Sequence, residues 1–231
     1  MNSAIQKLYK QIPSTYEMIN HLLTFGLDIW WRKNAIKKIK NNQGMRWLDV
    51  CTGTGETAVY LSRISKNSNP VFATDFSLPM LILAKNKPEG KQIRFSISEI
   101  KNLPFPDNTF DLITISFATR NIDINRKVLI QSFNEIRRVI KSGGQFINLE
   151  TSQPKNSFIK YFFHLYIKIF IRPIGKTISG SKAAYSYLAS TIPKFYHAEE
   201  LKQILIESGF QNVEYQQMLF GAAAIHSSIK E

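Results

Sequence analysis

The chain has 231 residues, with 30 Lys and Arg against 17 Asp and Glu, a net charge of +13 and a pI near 9.8. At 44% hydrophobic and 12% aromatic it is too apolar for intrinsic disorder and long enough to bury a core. A single cysteine, Cys51, excludes a disulfide framework and a Cys-rich zinc site and fits a reducing compartment.

Residues 1–44 carry a net +5 and read as an N-terminal helical segment without a signal-peptide core. Strand-like runs follow at 45–50, 71–75, 93–97, 110–116 and 145–150, bounded by Gly, Pro and Asn. Helical patterns lie between them. The clearest is 125–141, with Leu129, Phe133, Ile136 and Ile140 on one face and Gly143-Gly144 just beyond. Such alternation predicts βαβ units and a parallel sheet, over a core of 45–150 with a net +4. It breaks off over 151–196, which has seven cations and no acid. It resumes over 197–231, net −3, with a helix at 198–208 and strands at 212–220 and 222–228.

Inside the acid-free stretch, 156–172 has a helical pattern. Lys160, His164, Lys168 and Arg172 recur every four residues as one stripe, and aromatic and aliphatic residues cover the rest. At about 1.5 Å per residue the segment spans roughly 26 Å, and the polar stripe interrupts it throughout. It is expected to lie on a membrane surface, to close over a substrate, or to be a buried helix or dimer contact. Lys33, Lys37, Lys38 and Lys40, behind Trp30-Trp31, form a second basic and aromatic patch. The charge fits an anionic partner or a Lys-rich composition, since 21 of the 30 cations are lysine.

The first strand runs into Asp49-Val50-Cys51-Thr52-Gly53-Thr54-Gly55-Glu56-Thr57-Ala58, formally a G-x-G-x-x-A dinucleotide fingerprint with Asp75 beyond it. The sign of the charge argues for a different ligand. A pyrophosphate would face Asp49 and Glu56 with no Lys or Arg in residues 47–62. S-adenosylmethionine carries an ammonium and a sulfonium and suits that acidic loop. Asp75 is then placed for the ribose hydroxyls, Phe76 to pack on adenine, and Glu99 to accept from the adenine amino group.

Leu103-Pro104-Phe105-Pro106-Asp107 and Ser116-Phe117-Ala118-Thr119-Arg120-Asn121 resemble the ubiquinone/menaquinone biosynthesis C-methyltransferase family. So do Tyr16-Glu17 with Asn20, Gly26 and Trp31-Arg32, then Lys141-Ser142-Gly143-Gly144, Glu150-Thr151-Ser152-Gln153-Pro154 and Tyr185-Ser186-Tyr187-Leu188. Thr52 and Ala118 stand for glycines of that pattern, Ala58 for a threonine, Ser142 for a proline and Glu99 for Asn or Asp.

The resemblance implies a class I, Rossmann-like α/β methyltransferase fold. Its sheet would be mostly parallel and seven-stranded, with helices on both faces, N-terminal helices and a helical insertion after the fifth strand. It implies methyl transfer from S-adenosylmethionine to a ring carbon of a reduced polyprenyl quinone precursor, a demethylmenaquinol or ubiquinol precursor. Asp49, Gly53, Gly55, Asp75, Glu99, Ile100 and Ser116 are then expected around the cofactor, and Arg120 and Asn121 facing the quinol. Arg120 would favour a developing phenolate unless it pairs with Asp123 at the surface. Candidate bases are His164, Tyr185, Tyr187, His21 and His197. No metal or nucleic acid is expected. The expected setting is cytoplasmic, at the inner face of an anionic membrane, with a homodimer possible. The rival readings are a methyltransferase acting on RNA or another small molecule, and a non-catalytic membrane-associated assembly protein that retains the fold.

Overall fold

Every residue of β1 (Trp47–Val50) is buried, as a strand covered on both faces has to be. The computed structural model describes residues 13–40, 46–65, 70–122, 125–171, 186 and 189–231. The other strands are β2 (Val71–Asp75), β3 (Ile93–Ile97), β4 (Phe110–Ser116), β5 (Ile140–Thr151), β6 (Gln211–Met218) and β7 (Ala223–Ile229). They form one sheet of order β3-β2-β1-β4-β5-β7-β6, in which β7 alone runs antiparallel to both neighbours. The strand order reverses between β1 and β4. The connections after these two strands therefore diverge and leave a crevice at their C-terminal ends.

The helices are α1 (Pro13–Leu23), α2 (Leu27–Ile36), α3 (Glu56–Ser65), α4 (Leu78–Lys85), α5 (Thr119–Ile122), α6 (Arg126–Val139), α7 (Ser157–Tyr166) and α8 (Ala198–Glu207). One core cluster packs Phe133 of α6 and Leu201 of α8 against Phe110 and Phe146 of the sheet. A second packs Trp31 and Ala35 of α2 and Leu61 of α3 against Trp47, Leu112 and Leu149. The mostly parallel seven-stranded sheet with flanking helices and a helical insertion after β5 is as the sequence implies.

Three boundaries differ from expectation. The helix expected over 125–141 is capped by Asn125, whose side chain accepts from the Val128 N–H at 3.0 Å, and it ends at Val139. Ile140 opens β5 instead and pairs with Phe110. It is buried there as it would be on a helix face, so the apolar spacing alone could not separate the two. The strand expected to run to 220 stops at Met218. Leu219 and Phe220 take φ of 46° and 55° in a tight turn that reverses the chain into β7. The helix expected over 156–172 leaves α geometry after Tyr166 for a π-helical turn, Ile167–Ile171. In this wider turn Ile167 is fully buried while Lys168 is exposed. Arg172, Tyr185 and Tyr187 lie outside the described residues.

Phe133 is fully buried, with its ring centroid 5.9 Å from that of Phe146. Phe133→Ala should cost about 3–5 kcal/mol. Calorimetry should then read a melting temperature lower by roughly 6–20 °C.

Candidate active site

The loop after β1 turns through three positive φ angles, Cys51 at 53°, Gly53 at 56° and Gly55 at 80°. The two glycines serve different ends. A Cβ on Gly55 would lie 2.8 Å from the Ala84 Cβ, so this glycine lets the loop pack on α4. A Cβ on Gly53 would meet nothing within 4 Å, because this glycine faces the open crevice.

Two buried carboxylates hold the loop. Asp49, at the end of β1, accepts from the hydroxyls of Thr114 at 2.6 Å and Thr52 at 2.5 Å. Asp75, at the end of β2, accepts from the backbone N–H of Gly53 at 2.9 Å and of Ser77 at 2.8 Å. Burial pushes the pKa of each up to about 6, against the pull of these hydrogen bonds. A ligand bearing positive charge or hydroxyl donors would relieve that cost.

The cleft, about 60 Å³, is lined by Asp49, Gly53, Asp75, Phe76, Ser116 and Asn121 among others. Glu99 and Ile100 line an adjoining cavity that shares Cys51, Phe76 and Ile122 with the cleft. The buried Ser98 hydroxyl has no partner among the described residues, and Ser98 lines this same cavity. The expected cofactor residues therefore come together, except that Gly55 acts through packing.

Arg32 is the residue whose place the sequence did not reveal. Only the Trp31-Arg32 motif marked it, and nothing in the spacing brings α2 to the glycine loop. Arg32 is 7% exposed, and its guanidinium donates to Glu56 at 3.0 Å and Thr57 at 3.3 Å and lies 4.9 Å from the Phe117 ring centre. Thr57 donates in turn to Ser116 at 3.0 Å. The cleft, acidic by local sequence, thus receives one cation from a distant helix.

Arg32 and Phe117 also line a second, larger cavity of about 370 Å³. Its walls come from α1 and α2, α7, and the turn before β7, and they are mostly apolar, with Phe162, Phe163, Tyr166 and Ile192 among them. The Tyr166 hydroxyl donates to the Leu23 carbonyl and ties α7 to α1.

Arg120 faces this cavity and is 6% exposed. Its backbone N–H donates to Glu150 at 3.0 Å, and its Nη1 donates to Thr151 at 2.9 Å and lies 3.6 Å from Glu150. Arg120 is thus paired with the buried Glu150; Asp123 lies outside the described residues. Asn121 lines the cofactor cleft rather than the larger cavity. His164 is bonded to Gln153 at 2.8 Å and does not line the cavity; burial and Lys160 hold its pKa below the usual histidine value. His197 is bonded to the Gln153 carbonyl at 2.9 Å. Tyr185 lies outside the described residues.

His21 sits beside the site. Its Nδ1 is 2.8 Å from Asp28 and its Nε2 is 3.4 Å from Glu56. Donor atoms of the three residues lie within 4.8 Å of one another, with the Arg32 guanidinium on Glu56 supplying positive charge.

A sheet of this order, with a glycine loop after β1 and an acid closing β2, defines a class I methyltransferase. A structure of a SAM-dependent methyltransferase from Thermotoga maritima, described as a possible histamine N-methyltransferase, has the same fold. It matches with a TM-score of 0.69 and 16% identity over 98% of this chain and 99% of that one. One from Aquifex aeolicus matches with a TM-score of 0.62 and 21% identity, over 86% of this chain and 89% of that one.

The chain belongs to the ubiE/COQ5 methyltransferase family, whose profile matches residues 1–230. It is 35% identical to the ubiquinone/menaquinone biosynthesis C-methyltransferase UbiE of Geobacter sulfurreducens, over 98% of this chain and 88% of that protein. It is 36% identical to the demethylmenaquinone methyltransferase of Lactobacillus johnsonii, over 98% of this chain and 93% of that protein. It is an enzyme of that family, with S-adenosylmethionine as its cofactor.

The raised carboxyls give a pH dependence with a definite sign. Asp49 and Asp75 bind protons more tightly in the fold than at their ordinary 3.8, so they favour the folded state at low pH. That contribution is lost as the pH rises through about 6. The cationic cofactor prefers the ionised pair. The rise in melting temperature it produces should therefore grow between about pH 5 and about pH 7, read by scanning fluorimetry.

Proposed function

We propose that this enzyme methylates a ring carbon of a reduced polyprenyl quinone precursor, a demethylmenaquinol or the corresponding ubiquinol precursor. The observation that carries the reading is the apolar cavity sharing Arg32 and Phe117 with the cofactor cleft. Its volume of about 370 Å³ falls in the ordinary range for small-molecule sites and suits an aromatic ring whose tail leaves by the mouth. The names of the relatives point to the same substrate class.

The residues divide by place. Asp49 and Asp75 hold the cationic and ribose ends of the cofactor, Phe76, Glu99 and Ile100 its adenine, and Gly53 and Ser116 the wall between. Arg32, the cation of the cleft, takes the cofactor's carboxylate. S-adenosylmethionine supplies a methyl group on a sulfonium that is already a good leaving group, so orientation carries much of the acceleration. Arg120 holds its guanidinium where charge develops on a ring oxygen, and the ion pair with Glu150 and the bond to Thr151 keep it there. Asn121, on the cleft side, orients a hydroxyl or water.

Incubation with labelled S-adenosylmethionine and a short-tailed quinol should place label in the lipid extract. Arg120→Gln should lower kcat by ~100-fold and leave cofactor affinity unchanged. An inactive wild type, or a variant with unaltered kcat, would reject the reading.

A membrane surface is the proposed source of the substrate. Phe25 and Phe220, 78% and 77% exposed, stand at the cavity mouth beside Phe162 and Leu219. Lys160 and Lys168 flank Phe162 in the chain within an acid-free stretch, 151–196. No helix among the described residues is long and apolar enough to cross a membrane. The protein should sediment with phosphatidylglycerol vesicles more than with neutral ones, and the Phe25→Ser, Phe220→Ser double variant should sediment less.

A further inference from the structure

Methylation of a quinol carbon goes fastest from the ring's phenolate, so a group on the cavity wall has to take a hydroxyl proton. Among the described residues lining the cavity, Asp28 is the one carboxylate, and no histidine lines it. Tyr166 also lines it, but its hydroxyl already donates to Leu23. Asp28 is 2% exposed, in the first turn of α2. One carboxylate oxygen lies 2.8 Å from His21 Nδ1, and the other accepts from the Thr24 hydroxyl at 2.7 Å.

Across the same wall are three buried N–H donors without protein partners among the described residues: Arg32 Nε, Arg120 Nε and Trp31 Nε1. One acceptor anion among spare donors is the arrangement a dihydroxy ring requires.

Resting on the quinol reading above, we infer that Asp28 is the general base of the methylation and that His21 is its positioning residue. The quinol O–H bond breaks and an O–H bond forms on Asp28, leaving the electron pair on the ring oxygen. That pair raises the electron density of the adjacent ring carbon, which forms the new carbon–carbon bond while the methyl–sulfur pair stays on sulfur. The ring C–H proton then leaves to water as aromaticity returns, and Asp28 gives its proton back to the ring oxygen. The one proton released overall is the carbon-bound one. His21, held between Asp28 and Glu56, fixes the carboxylate's orientation. The Arg32 guanidinium, 3.0 Å from Glu56, supplies positive charge to the same group.

The test compares wild type, Asp28→Asn and His21→Gln for methyl transfer to a short-tailed quinol across pH, with cofactor affinity by calorimetry. Asp28→Asn should lower kcat by ~100-fold with cofactor affinity unchanged. Its residual rate should climb about tenfold per pH unit towards the phenol's own pKa near ~10, where the substrate ionises unaided. His21→Gln should lower kcat less and leave KM unchanged. The charged and titratable groups around Asp28 are His21 on α1, Arg32 on α2 and Glu56 and Tyr60 on α3, with Arg120 on α5 and Tyr166 on α7 lining the same cavity.

An Asp28→Asn variant within threefold of wild-type kcat would overturn the assignment. So would a residual rate that does not climb with pH, or a loss traced to cofactor affinity. If Asp28→Asn does not fold, His21→Gln decides, and an unaltered kcat in it overturns the assignment. No transfer by the wild type overturns the quinol reading itself, and the base with it.

Discussion

A guanidinium taken out of water must find partners, and Arg32 finds them on another element. Its contacts with Glu56, Thr57 and the Phe117 ring bind α2 to the start of α3 and to the end of β4. A buried pair adds little net stability but is expensive to break, so it fixes geometry more than it adds free energy. Here it sets where the N-terminal helices close against the crevice. The larger cavity exists only because they close there, and Arg32 with Phe117 forms the wall between it and the cleft.

The same burial tunes the chemistry. Asp49 sits on β1 beside the point where strand order reverses and Asp75 ends the neighbouring β2; hydroxyls and backbone N–H groups hold them, and burial raises both. They are poised for a cation, whereas a phosphate would meet the wrong field. Arg120 is kept as an available charge by Glu150, which binds its backbone, and by Thr151. Charges fixed in advance and shielded from water exert a stronger field than charges in solvent.

Much of this was legible in the chain. Strand-like apolar runs located all seven strands within a few residues, and D-x-x-x-G-x-G with Asp75 marked residues that come together in the acidic cleft. Failures came where one residue satisfies two environments. Ile140 is apolar and buried in helix or strand, so periodicity extended α6 into β5. Phe220 alternates like a strand residue yet stands exposed at positive φ. His164 lay on a credible polar stripe, but a bond to Gln153 directs it away from the cavity.

Local order thus determined the sheet, the glycine loop and the family resemblance, because strand period, turn chemistry and the acid at each strand end act over a few neighbouring residues. Tertiary structure alone decided the rest. Arg32 reaches Glu56 across 24 positions, His21 meets Asp28 and Glu56 together, and Arg120 is buried beside Glu150. Those partners are chosen by which helices pack over the open end of the sheet. That choice depends on apolar burial summed over the whole fold, and no window of sequence contains it.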